Sequence, residues 1–319
     1  VKNVLIPAQI DGVTITGIAP YAFAKRDSQY GSVSDNTTLL SVSIPNTVTE
    51  IGAHAFDSCT AMSTLRFAPG STLRVVGERA FDDCKSLNSL TLPDSIEQFG
   101  SGAFYGLEGL KSLSVSGEVD TNGWLGGSSD DYLALDTLTL TGRYVRGQKY
   151  INVDGVIWAD GMPGREGTRN IIVSSGVESI EPYAFYQCYR LLQIALPETL
   201  TEIGEAAFGE CQHLKNVQFP GSVKTLGKKC FKNCYQLQAI DLSQTADMVI
   251  GESAFEYCKS LENIQWPEKI CAIGAMCFNN CNRLEEVDLS QIPDTITAKE
   301  TKLTGKAVMP KVLVQATAG

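Results

Sequence analysis

The chain has 319 residues, 43% of them apolar, and a formal charge of −10. That composition can bury a stable core, while an acidic surface repels the phosphate backbone and excludes nucleic acid as a partner. No run of 18 apolar residues occurs, so no segment reads as a transmembrane helix.

The chain opens on Val1-Lys2-Asn3-Val4-Leu5-Ile6-Pro7, inside a strand-like segment. It therefore reads as a mature or trimmed fragment whose signal or anchor is missing. From there a phrase Ala-Phe-x-x-Cys-x-x-Leu recurs. Its phenylalanines are Phe23, Phe56, Phe81, Phe104, Phe185, Phe208, Phe231, Phe255 and Phe278. The late steps are 23, 23, 24 and 23 residues; the early ones are 33, 25 and 23, and one gap of 81 intervenes. A fixed period of this kind is the signature of stacked repeats.

Each phenylalanine carries the same residue classes after it. Three positions on lie Cys59, Cys84, Cys188, Cys211, Cys234, Cys258 and Cys281, with Leu107 as the exception. Leucine or methionine follows at six, and aliphatics follow at nine. The end of the unit alternates with period two, as in Leu90 and Leu92 inward against Ser89 and Thr91 outward, which marks a half-buried strand. Proline then ends the strand, as at Pro93, Pro197, Pro220 and Pro267. Gly100, Gly204, Gly227 and Gly274 are expected to supply a tight backbone turn. Gly-x-x-Ala-Phe is too short for a free helix and reads as one helical or 3₁₀ turn.

The expected fold is a β-rich α/β repeat: a right-handed solenoid with a parallel sheet on the concave side and short helical or 3₁₀ turns. The cysteines then form a ladder of thiols inside it, each behaving as a small buried hydrophobe. No CxxC occurs and only His54 and His213 are present, so no metal site is expected.

Residues 117–170 break the phase. Within them, 117–134 are rich in Gly and Ser and read as a loop. The stretch 150–161, with Asp154-Gly155 at its centre, reads as a hairpin insertion. The segment holds Trp124, Tyr132, Tyr144, Tyr150 and Trp158, and Trp124 is a candidate ligand contact. The Asp130-Asp131 pair reads as a solvated loop feature. After Leu289 the pattern fades, so 291–319 is either a cap or a truncated repeat, and 1–319 reads as a single solenoid.

Ile44-Pro45-Asn46-Thr47-Val48-Thr49-Glu50-Ile51-Gly52-Ala53-His54-Ala55-Phe56 and the matching stretch from Leu196 to Phe208 resemble the BspA-like leucine-rich repeat. The resemblance covers about 1–115 and 171–290. It implies a bacterial protein, extracellular or anchored to the cell surface, and adhesion to a host extracellular protein, a cell-surface protein or a glycan. The family has no catalytic residues to carry over.

The residues themselves offer no P-loop, GxGxxG, HExxH or GxSxG. No catalytic residue and no cofactor is expected, and neither histidine has an identifiable partner for general base work. What remains is the outward strand face. Arg66, Thr91, Gln218, Asp241, Gln265 and Asp288 recur ten positions after their phenylalanines and are the candidate ligand-binding residues. Two readings follow: a binding module that uses this polar strip, or a structural spacer presenting another domain.

Overall fold

The computed structural model describes residues 2–26, 33–118, 135–145, 149–153, 156–160, 167–288 and 311–313. The chain divides into two compact units, Val1–Thr139 with Gly161–Gly164, and Leu140–Asp160 with Arg165–Gly319. Each is a parallel β-solenoid whose coils follow the sequence repeat.

A coil begins at its main strand, where the period-two alternation sits. In the first unit, Asn3–Leu5, Ser41–Ile44 and Thr64–Phe67 pair in parallel, and Ser89–Thr91 pairs with Ser112–Ser116. In the second, Asn170–Val173, Gln193–Ala195, Asn216–Gln218, Ala239–Asp241 and Asn263–Gln265 form one parallel ladder. Glu286–Asp288 pairs in parallel with Lys311–Leu313. Two- to four-residue strands form a second parallel ladder. Gly17–Ile18, Glu50–Ile51, Val75–Val76 and Gln98–Phe99 make it in the first unit. Tyr144–Val145, Ser179–Ile180, Glu202–Ile203, Thr225–Leu226, Met248–Ile250 and Ile270–Ile273 make it in the second. The inserted hairpin pairs Lys149–Val153 with Val156–Asp160, closing across two residues.

The segment around each phenylalanine is a run of turns, and none of the described residues is helical. Its backbone explains why. The residues two before and two after the phenylalanine are left-handed: His54 and Ser58, Arg79 and Asp83, Lys229 and Asn233, with φ between 48° and 63°. Left-handed residues break a helix every few steps. They also sort the N–H groups. The N–H groups of Ala55, Asp57 and Cys59 bond three residues back within the coil, while those of His54, Phe56 and Ser58 donate to the next coil at Glu78, Ala80 and Asp82, each at 2.8 Å. The turn is thus a third inter-coil ladder, with every second donor pointing along the stack.

The glycine expectation needs correction. Gly100, Gly204, Gly227 and Gly274 are not left-handed. A Cβ on any of them would lie 2.2–2.6 Å from backbone of the preceding coil. Glycine is required there because neighbouring coils approach too closely for any side chain, and the left-handed positions are filled mostly by other residues.

The core repeats with the coil. Rings of Phe23, Phe56, Phe81 and Phe104 stack at 4.8, 5.1 and 5.3 Å. Those of Phe185, Phe208, Phe231, Phe255 and Phe278 stack at 4.9–5.7 Å. These separations are close to one strand spacing. Nine of the ten cysteines are buried and all are free thiols; Cys271 is the exposed one. The ladder thiols have a specific role. Each Sγ donates to the carbonyl of the phenylalanine one coil back: Cys84 to Phe56, Cys211 to Phe185, Cys234 to Phe208, Cys258 to Phe231 and Cys281 to Phe255, at 3.1–3.3 Å. Cysteine is small enough for the site and still satisfies a buried acceptor there.

Candidate ligand-binding face

The main strands hold one residue inward and its two neighbours outward. Gln193–Ala195, Asn216–Gln218 and Ala239–Asp241 repeat the same exposed–buried–exposed pattern. Register aligns the outward residues into rows. In the second unit one row is Asn170, Gln193, Asn216, Ala239 and Asn263. In the other, Gln218 faces Asp241 and Asp241 faces Gln265. The structure therefore brings three of the expected residues together on successive strands. The Gln265 amide, oriented to satisfy both groups, donates to both Asp241 carboxylate oxygens at 3.3 Å. Asp241 also accepts from the Ser243 N–H at 3.0 Å.

Arg66 and Thr91 lie in the first unit, and the structure joins them in a different way. The main-strand ladder stops after Thr64–Phe67 and starts again at Ser89–Thr91. The same two coils remain bonded elsewhere. Val75 and Val76 pair with Gln98 and Phe99, and the Phe81 and Phe104 rings stay 5.3 Å apart. The coils part on one side only. The step from Phe56 to Phe81 is 25 residues, two longer than the usual 23, and the extra chain follows the strand at Ala68-Pro69-Gly70-Ser71. It is held to the preceding coil: the Ala68 N–H donates to Ile44 at 2.9 Å, and the Thr72 N–H and hydroxyl donate to Asn46 at 3.3 and 2.6 Å. A groove of about 690 Å³ opens between the parted strands, with Arg66 and Thr91 among its walls. The sequence holds a signal for it, the long step together with Pro69-Gly70, but a strip read from the repeat period does not show the opening.

Two expected residues cannot be placed. Trp124 lies outside the described residues, as do Tyr132 and the Asp130-Asp131 pair. Asp288 is in strand Glu286–Asp288, facing Leu313 in register, but its side chain is not among those described.

The turn edge carries most of the remaining titratable groups. His54 Nδ1 lies 2.7 Å from Asp57 Oδ2, its ring stacked on Tyr21 at 4.8 Å. The Ser58 hydroxyl donates to the other Asp57 oxygen at 2.8 Å. Serine and histidine thus share one carboxylate, whereas nucleophilic catalysis needs the hydroxyl to donate to the imidazole. In the next coil Arg79 pairs with Asp82 at 2.7 Å. Burial raises the Asp82 pKa, and the Arg79 hydrogen bond only partly offsets it. Burial also opposes ionisation of Glu256, but hydrogen bonds from Lys232 at 2.8 Å and Asn279 at 3.0 Å hold its pKa below the usual value. Lys228 likewise pairs with Glu252 at 3.2 Å. The His213 Nδ1–H donates to the Tyr189 carbonyl at 2.5 Å. The His54, Ser58 and Arg79 contacts stay within a turn, while the Lys228, Lys232, Asn279 and His213 contacts join one coil to the next. Among the described residues no three His, Cys, Asp or Glu side chains converge as metal ligands, and no helix is long and apolar enough to cross a membrane.

A model of the BspA type leucine-rich repeat region matches residues 31–124 and 178–301 in six copies. No curated protein matches the chain. Solved structures similar to it include the pneumococcal vaccine antigen PcpA, at 18% identity over 99% of this chain and 89% of that one, with a TM-score of 0.35. A leucine-rich repeat protein from Bacteroides ovatus is 20% identical over 93% and 91%, with a TM-score of 0.35. A leucine-rich cell surface protein from Faecalibacterium prausnitzii is 21% identical over 88% and 86%, also at 0.35.

Proposed function

The chain belongs to the BspA type leucine-rich repeat family, and from that premise we propose that it is a non-catalytic module of a bacterial cell surface that binds a protein or glycan. The binding surface is the outward face of the main strands. One observation carries this reading: outward polar side chains stand in register on successive strands, with Gln218, Asp241 and Gln265 as the clearest row. Such a surface can vary at little cost to the fold, because the buried side chains and the backbone ladders carry most of what holds the coils together. It offers many modest hydrogen bonds over a rigid base, the mode of recognition that repeat arrays use. The polar groups at the turn edge already serve one another and leave little for chemistry.

The test is a Gln218→Ala, Asp241→Ala, Gln265→Ala variant assayed against immobilised extracellular matrix proteins. Binding to at least one such protein should fall tenfold or more, with the melting temperature unchanged within about 2 °C, as expected of surface changes. Undiminished binding would refute the role given to this row. It would leave the spacer reading as the better account.

A further inference from the structure

We propose that the groove between strands Thr64–Phe67 and Ser89–Thr91 is a carbohydrate site, selective for an oligosaccharide that carries a single carboxylate, such as a uronic or sialic acid. The assignment rests on the strand-face reading above and gives that face a place and a ligand class in the first unit.

The walls supply the chemistry. Phe67 is only partly buried, whereas its counterparts in the flanking coils, Ile44 and Leu92, are 1% and 3% exposed. The ring is thus open to the groove that it lines. A flat ring accepts the apolar C–H face of a sugar, as aromatic side chains do where one side of a ligand is apolar and the other polar. Around it stand Thr64, Asn88, Ser89 and Thr91. None of these side chains is hydrogen-bonded to another described residue. Hydroxyls and amides both donate and accept, which suits a ligand whose own hydroxyls do the same. A volume of about 690 Å³ lies within the usual range for small-molecule sites, about 300–1,000 Å³.

Arg66 sets the charge. The nearby arginines are engaged: Arg74 with Glu97 at 2.8 Å and Arg79 with Asp82 at 2.7 Å. Arg66 has no ion pair among the described residues, and it lines the groove. A guanidinium binds a carboxylate through two parallel hydrogen bonds. One arginine, with Asp94 also in the wall and a chain charge of −10, selects one carboxylate and disfavours a polyanion.

A peptide strand is the competing occupant, because the ladder is interrupted here. Inserting one requires two strand spacings, about 9.6 Å, between the flanking strands. The second ladder and the 5.3 Å stack of Phe81 on Phe104 hold these coils a single spacing apart on their other sides. The opening is a wedge, suited to a ligand that lies across it.

The experiment titrates the chain with 3′-sialyllactose, a glucuronic-acid-terminated disaccharide, lactose, heparin and an acetylated glutamate tetrapeptide, read by calorimetry and saturation-transfer NMR. At least one of the two acidic sugars should bind, lactose tenfold more weakly, and heparin no better than the sugar that binds. Arg66→Gln should weaken that binding at least tenfold, Arg66→Lys should restore part of it, and Phe67→Leu should weaken it with the circular dichroism unchanged. The Gln218→Ala, Asp241→Ala, Gln265→Ala variant should bind the sugar normally. Failure of both acidic sugars to bind, indifference to Arg66→Gln and Phe67→Leu, or tighter binding of the tetrapeptide would overturn the assignment. If the sugars fail while the second-unit row still governs matrix binding, the groove assignment falls and the strand-face reading stands. If matrix binding also survives both sets of substitutions, both fall.

Discussion

Raising the pH from 8 to 11 under reducing conditions should unfold the protein at 25 °C, with most of the transition between pH 9 and 11. The cause is the thiol ladder. Burial pushes the Cys59 and Cys281 thiols up to about 12, with Asp57 adding to the effect at Cys59. It also raises those of Cys84, Cys211, Cys230, Cys234, Cys258 and Cys277. In the unfolded chain each thiol ionises near its ordinary value of about 8.5. Below that pH both states hold the proton, and the thiols contribute their full stability. Above it the unfolded state releases protons that the folded state keeps, so stability falls as pH rises toward the folded values. Each such thiol removes about 1.4 kcal/mol per pH unit. Eight together remove on the order of 10 kcal/mol per unit, comparable with the whole stability of a typical domain, about 5–15 kcal/mol. Tyr186, also raised to about 12 by burial and then by Glu210, acts in the same direction. Circular dichroism against pH is the measurement. Replacing Cys211, Cys234 and Cys258 by alanine should move the midpoint to higher pH, even though the variant is less stable at pH 7. A native spectrum at pH 11 would mean that the thiols are not excluded from water.

The second large effect is expected at a glycine. Gly227→Ala places a Cβ 2.6 Å from both the Glu205 nitrogen and the Gly204 carbonyl carbon. These are backbone atoms of the preceding coil, so no side chain can swing aside. The coils would have to separate where the short-strand ladder and the turn ladder meet. Overpacking of this kind costs about 3 kcal/mol or more, which lowers the melting temperature by roughly 6–12 °C. Gly17→Ala is the control. Its added methyl would meet only the Glu50 carbonyl, at 3.7 Å, and should shift stability by no more than about 0.5 kcal/mol. Equal melting temperatures for Gly227→Ala and the parent would show that the coils are not in backbone contact there.

The parts of the fold legible in the sequence are those where one residue type meets one need. Phenylalanine, cysteine and leucine recur because the interior of each coil repeats, and the alternation at Leu90 and Leu92 places the main strand. The short second strands were legible only as apolar pairs such as Leu200 and Ile203, because two residues are too few to show a period. The left-handed positions had no signature at all. His54, Arg79, Ala206 and Met276 share one backbone conformation and no chemistry, since the ladders on either side of the turn dictate it. The glycines are legible as necessary, but their cause lies between coils, where the sequence of one unit suggests only a turn. The candidate site divides in the same way. The row Gln218, Asp241 and Gln265 follows from the repeat period alone. The groove holding Arg66 and Thr91 depends on a lost strand pairing, and the two-residue excess before Phe81 hints at it without stating the geometry.

The claim on which the account depends is that one register faces inward in every coil. Counting reactive thiols tests it most directly. With a water-soluble disulfide reagent at pH 8, the native protein should show one reactive thiol, Cys271, and the denatured protein all ten. Several fast-reacting native thiols, or fewer than ten after denaturation without reductant, would contradict the ladder.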